Sequence, residues 1–235
     1  MDGRAVLSIL FGIVALSADA TAQEAKRPAP SNPPLVDTST PGGERKGGRA
    51  SDQLESGQVA LIGRVNAYFN QLSSLKGAFV QTSANSKRLR GKFYVQRPGR
   101  FRLDYAPPSK LVIVSDGQYV AIQDYDLKTD DRWGLDQTPF GLLLRENVDL
   151  QRDARLFEVQ ETDDTIIVVF ESKSSQTSGP IKLFLGNGPT LELKKWITRD
   201  LQGRDTQIEV SDMVRVDELS PDLFKLVAVA LEKLR

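Results

Sequence analysis

The sequence predicts an α+β protein, mainly β, built as one antiparallel meander with a few helical segments. Three observations point there. From residue 77 to 215, about eleven short β-prone runs of period two follow one another, separated by turn chemistry such as Asp116-Gly117, Asp163-Asp164, Gly186-Asn187-Gly188 and Gln202-Gly203. Strands joined by such short turns become antiparallel neighbours. One amphipathic helix precedes them, and no βαβ alternation, phosphate loop or dinucleotide fingerprint occurs.

In chain order, the first segment is a signal for export. Arg4 supplies a basic start, AVLSILFGIVAL (5–16) an apolar run, and Ala18-Asp19-Ala20 and Ala20-Thr21-Ala22 two small-residue cleavage sites. The run is shorter than the ~20 apolar residues that a spanning helix needs, so residues 1–22 read as a cleavable signal peptide. No cysteine follows for lipid attachment. KRPAPSNPPLVDTSTPGGERKGGR (26–49) holds almost no large apolar side chains, and 23–49 therefore reads as a disordered Pro/Gly-rich linker. A folded domain then spans 50–235.

Over 52–75, Leu54, Leu61, Val65, Tyr68, Phe69 and Leu72 recur at helical spacing, with Glu55, Arg64, Asn66, Asn70 and Gln71 on the other side. Strands are predicted at 77–83, 88–97, 100–105, 110–115, 118–124, 128–134, 154–161, 165–172, 180–185, 190–199 and 205–215. The meander is interrupted once, at DQTPFGLLLRENVDL (136–150), where Thr138 and Pro139 suit an N-cap and first helical position ahead of Phe140, Leu142, Leu143 and Leu144. A helix this short must lie on something apolar. It serves either as a plug for an open end of the sheet or as a lid over a ligand cavity.

Composition narrows the chemistry. Among 235 residues, 31 basic and 31 acidic side chains cancel, so no overall field collects nucleic acid. The chain has no Cys and no His, which removes thiol and imidazole nucleophile pairs, the usual zinc ligands and disulfides. No cofactor or metal motif is present, and Asp124-Tyr125-Asp126 lacks the spacing of a calcium loop. Carboxylate chemistry, a Ser/Lys pair or an oxygen-ligated hard cation remain, and the carboxylates near turns, Glu161, Asp163 and Glu171 together with Asp124, make a carboxylate-dependent envelope glycan hydrolase the enzymatic alternative.

A long antiparallel sheet with few helices hides its apolar face by curling into a barrel or by letting helices cover it. Alternation places Leu89, Phe93, Val95, Phe101, Leu103, Tyr105, Leu111, Ile113 and Tyr119 on the inward face. Such a lining is either packed core or the wall of a cavity for a lipid-like ligand. Arg97 stands in phase with Leu89, Phe93 and Val95, where an unpaired buried guanidinium costs several kcal/mol. It either snorkels to solvent at the strand end marked by Pro98, or uses its donors to hold carbonyls of the covering helices as a latch. Arg88, Arg90 and Lys92 on one strand, with Arg100 and Arg102 on the next, read as a solvated face.

These residues resemble a known family, the LolA-like periplasmic lipoprotein carriers. The likeness is carried by Leu75-Lys76-Gly77-Ala78-Phe79-Val80-Gln81 behind an amphipathic helix and by GKFYVQRPGRFRLDY (91–105). The prolines Pro107 and Pro108, then Ser115-Asp116-Gly117 and Thr138-Pro139 with its leucines, follow in order. The resemblance implies an unclosed antiparallel β-barrel with a helical lid over a hydrophobic cavity for acyl chains. It also implies that Arg97 ties lid to barrel, with Leu61, Val65, Phe69, Phe140, Leu143 and Leu144 on the lid. The implied protein is a monomeric periplasmic chaperone without catalytic residues. It would take acylated lipoproteins from an inner-membrane lipoprotein-releasing ABC transporter complex to the outer membrane, with or without an outer-membrane lipoprotein receptor. A related role, a lipid- or lipoprotein-binding envelope regulator, stays open.

Overall fold

The computed structural model describes residues 55–174, 179–200 and 202–227. The predicted signal peptide, the linker, Leu54 and the tail beyond 227 lie outside the described residues.

Helix α1 (Ser56–Asn70) opens the domain. Gln58 closes its first turn by accepting from the Glu55 N–H at 3.1 Å, and Ile62, Val65, Tyr68 and Phe69 form its buried stripe. Strands follow as β1 (Ser74–Thr82), β2 (Arg88–Gln96), β3 (Arg100–Tyr105), β4 (Leu111–Asp116), β5 (Tyr119–Asp124) and β6 (Thr129–Gly134). After the crossing segment come a short helix α2 (Leu150–Asp153), then β7 (Ala154–Glu161), β8 (Thr165–Ser172), β9 (Ile181–Asn187), β10 (Leu191–Arg199) and β11 (Asp205–Arg215). A 3₁₀ turn, Pro221–Phe224, packs on β3 and β4 from outside.

The eleven strands form one antiparallel sheet in the order β6-β5-β4-β3-β2-β1-β11-β10-β9-β8-β7. The chain meanders out from β1 to one edge, crosses to the other edge through residues 135–149, and meanders back until β11 pairs with β1. Strands β6 and β7 do not pair, so the barrel is unclosed, and the crossing segment and α1 form its lid.

Two glycines let the central strands approach their aromatic partners. Gly77 lies opposite Phe93 and Gly91 opposite Phe79 in the β1–β2 register, and a Cβ at either glycine would stand 2.7 Å or less from the facing ring. Bulges in β1–β11, β9–β10 and β7–β8 bend the sheet further. On the concave side Leu75, Phe79, Phe93, Phe101, Ile113, Val120 and Ile208 are buried in one apolar cluster. Each such side chain contributes about 1.5–3 kcal/mol relative to exposure.

The crossing segment departs from expectation. Residues 135–137 form a 3₁₀ turn, Thr138 follows it as a C-cap rather than opening a helix, and 139–147 are turns and bends. The Thr138 hydroxyl donates back to the Leu135 carbonyl at 2.7 Å. The Leu144 N–H still donates to the Phe140 carbonyl at 3.0 Å, but the carbonyls of Leu144, Arg145, Glu146 and Val148 are bound by other parts of the fold.

Candidate functional site

Arg97 directly follows β2, at the rim where α1 ends and the crossing segment passes. Its Nη1 donates to the carbonyls of Phe69 and, at 3.4 Å, Leu72, the last turn of α1 and its exit. Its Nη2 donates to the carbonyls of Arg145 and, at 3.2 Å, Glu146 on the crossing segment, and to Asn70 Oδ1 at 3.4 Å. One guanidinium thus joins both covering elements to the barrel rim.

The location has a physical cause. The last carbonyls of a helix lack intrahelical partners and carry the negative end of its dipole, so a planar, multi-donor cation docks there well. Among the described residues none of the acceptors of Arg97 is a carboxylate, and burial pushes its guanidinium below arginine's ordinary value because desolvation disfavours the charged form.

Other ties run beside it. The Gly99 N–H donates to the Leu144 carbonyl at 2.8 Å. Gly99 has a φ of +74°, and a Cβ there would stand 2.8 Å from the Gly117 Cα, so the Arg-Pro-Gly and Ser-Asp-Gly turns meet and only glycine fits. Asn70 pairs with Val148 in both directions, donating at 3.0 Å and accepting at 2.8 Å, and Asn66 accepts from the Leu150 N–H at 3.1 Å.

Beneath these ties, the Phe140 ring stands between Phe101 and Trp196, with centroids at 6.0 and 5.7 Å. Phe140 and Leu144 pack against the interior cluster, and Leu142 and Leu143 are buried. On α1, Val65 and Phe69 are buried while Leu61 is half-buried beside the fully buried Ile62. A separate pocket of about 190 Å³ opens beside the end of α1, lined by Tyr68, Leu72, Leu75, Leu191 and Met213 among others.

Of the inward positions predicted from alternation, Leu89, Phe93, Val95, Phe101, Leu103, Tyr105, Leu111 and Ile113 all belong to or pack on one interior cluster. Tyr119 does not. It is 46% exposed, whereas Val120 and Ile122 are buried. The β4–β5 hairpin sets Ser115 opposite Val120 and Ile113 opposite Ile122, so odd inward positions become even ones across the turn.

The carboxylates considered for hydrolysis are dispersed. Glu161 pairs with Arg64 at 2.7 Å and Glu171 with Arg155 at 3.5 Å, at one edge of the sheet. Asp124, toward the other edge, accepts the N–H groups of Asp126 and Leu127 in a turn. Arg102, read as solvated, instead pairs with Asp104 at 2.7 Å and donates to the Leu223 carbonyl at 3.1 Å.

Sequence reasoning passed over Asn66 and Asn70 because it assigned them to the solvent side of α1. Their spacing of one helical turn, beside Val65 and Phe69, was the available signal.

The chain is similar to several known proteins. An outer-membrane lipoprotein carrier protein of Nitrosomonas europaea is 27% identical over 177 residues, covering 72% of this chain and 85% of that protein. A protein of Rickettsia prowazekii is 34% identical over 86 residues, which is 37% of this chain and 40% of the length of that protein. Among solved structures, a LolA superfamily protein from Nitrosomonas europaea superposes with a TM-score of 0.44 at 13% identity, covering 72% of this chain and 97% of that one. Residues 70–227 match the family model for outer membrane lipoprotein carrier protein LolA, and the chain belongs to that family.

Proposed function

We propose that the protein is a periplasmic chaperone that shelters the acyl chains of lipoproteins in its apolar interior and carries them from the inner to the outer membrane. The reading rests on one observation: among the described residues the Arg97 guanidinium binds only neutral oxygens, and those oxygens belong to both elements that cover the interior.

The energetics suit such a device. Each exposed methylene of a lipid anchor costs about 0.8 kcal/mol, so a multiply acylated protein needs a cover to cross water. For cargo to enter, the crossing segment lifts and Phe140 leaves its place between Phe101 and Trp196. Arg97 is then the latch that cargo must displace. Closure competes with cargo, lowering net affinity by the free energy of the closed state. Weak holding allows delivery. In this scheme a monomer receives acylated lipoproteins from an inner-membrane releasing ABC transporter complex and passes them to an outer-membrane acceptor, with no cofactor and no reaction of its own.

Native mass spectrometry of the protein purified from its own periplasm tests this. Triacylated proteins bound one to one are the expected result. Recovery in a stable complex with an unacylated signalling protein, and with no lipid, would overturn it in favour of an envelope regulator.

A further inference from the structure

One row of the concave face breaks the apolar pattern. Through successive pairings, Leu89, Gln81, Ile208, Trp196, Leu183, Val168 and Val159 lie directly opposite one another from β2 to β7. Residues directly opposite share a face of the sheet. In that row only Gln81 and Trp196 carry polar side-chain atoms, and they flank Ile208.

Both polar donors are left unsatisfied. Among the described residues, four buried side-chain polar atoms lack a hydrogen-bond partner: Gln81 Nε2, Trp196 Nε1, Arg97 Nε and Ser83 Oγ. Gln81 is fully buried; its carbonyl oxygen accepts from the Tyr105 hydroxyl at 2.5 Å, and its N–H₂ is left unpaired. Trp196 lies under the Phe140 ring of the crossing segment. Native interiors seldom leave such donors unpaired, and each exception calls for an explanation.

The geometry points to a carbonyl-binding row on the wall of the interior. Gln81 Nε2 and Trp196 Nε1 donate to the ester carbonyl oxygens of a diacylglyceryl group when the crossing segment is displaced. The two backbones stand two strands apart, roughly 10 Å at the usual strand spacing. The ester carbonyls of two chains on neighbouring glycerol carbons lie closer together than that, so the two side chains meet them from either side of Ile208, with hydrocarbon on either side to meet Leu89, Leu183 and Val168. The closed form covers Trp196 with Phe140, so lid displacement and exposure of this donor are one event. The inference rests on the carrier reading and adds a chemical preference to it. The interior selects ester-linked chains over hydrocarbon of equal length.

The test compares a synthetic diacylglyceryl-cysteine lipopeptide with its dialkyl ether counterpart of matched chain length, using the full chain purified without cargo. A diacyl phospholipid serves as a third probe. Wild-type protein should bind the ester lipopeptide about tenfold more tightly than the ether, equivalent to about 1.4 kcal/mol. Gln81→Leu and Trp196→Phe should each reduce that preference. Equal wild-type affinity for ester and ether overturns the row while leaving the carrier reading standing. Failure to bind either lipopeptide overturns both. Ester preference that persists in both variants assigns the selectivity elsewhere and also overturns it. An ester preference for the lipopeptide that the phospholipid shares supports the row and identifies diacylglyceryl itself, rather than the attached peptide, as what it reads.

Discussion

Arg97 at the barrel rim and Arg102 on the outer face of β3 both donate to backbone carbonyls, but only Arg102 has a carboxylate beside it. Arg102 holds Asp104 at 2.7 Å while binding the Leu223 carbonyl, and Gln123 binds the Val227 carbonyl nearby, so the chain after β11 is fastened to the outer face. Among the described residues Arg97 has no such counter-charge, and it spans two segments that belong to the cover. A cation compensated on its own strand is a fixed rivet. One compensated only by the oxygens of other elements depends on where those elements are, and its burial favours any rearrangement that returns it to water.

The largest predicted effect breaks the comparison at Arg97. Hydrogen bonds to a charged group contribute about 1.5–3 kcal/mol, so Arg97→Leu should tighten acyl-chain binding about ten- to a hundredfold and slow delivery correspondingly. A reconstituted transfer assay with a labelled lipoprotein measures this, and unchanged transfer would remove Arg97 as the latch. Arg97→Lys should not restore delivery. An ammonium is a single point of charge and cannot span the Phe69 and Arg145 carbonyls at once.

Asn70→Ala sharpens the comparison with a smaller effect in the same direction. It removes the two bonds to Val148 and one acceptor of Arg97. Stability of the unliganded protein should fall by about 1–2 kcal/mol, because the Val148 N–H is left unpaired. Cargo should bind a few-fold more tightly, since the closed state that competes with it is weakened. Parallel denaturant titration and binding measurements check both, and a loss of stability with no gain in cargo affinity would mean that Asn70 braces the fold without contributing to closure.

The contrast between the arginines also marks what the sequence could disclose. Strand existence and limits were legible because half-buried strands alternate: β3, β7, β8 and β11 have the predicted bounds. Three features were not. The β1–β11 pairing is non-local, and nothing in either strand's alternation names its partner. Tyr119 was misplaced because a two-residue turn reverses parity, which a count carried through the turn ignores. The crossing segment was expected to be helical after Thr138, but its Leu144, Arg145, Glu146 and Val148 carbonyls are claimed by Gly99, Arg97 and Asn70. Those tertiary partners replace intrahelical bonds, and their positions follow only from the assembled sheet. Arg97 itself was readable as an anomaly of phase, while its acceptors were not, since backbone carbonyls carry no sequence identity.

Arg102→Leu tests the other side of the comparison. Loss of a partly exposed ion pair and one carbonyl bond should cost about 1 kcal/mol of stability and free the Pro221–Phe224 turn for proteolysis, with cargo affinity unchanged. A cargo effect matching that of Arg97→Leu would erase the distinction between rivet and latch.

The smallest expected effect concerns the chain before the domain. Residues 23–49 are rich in Pro, Gly, Ser and Thr, and such a composition cannot bury enough apolar surface to offset its ordering entropy. Their deletion should leave the unfolding midpoint and cargo affinity of the purified protein unaltered. A change of 1 kcal/mol moves the midpoint of a domain this size by roughly 2–4 °C, so calorimetry resolves the question. A drop of that size or more would mean that these residues dock on the domain. If cargo affinity also rose, they would act with Arg97 and Asn70 in favouring the closed state, and closure would no longer be a property of α1 and the crossing segment alone.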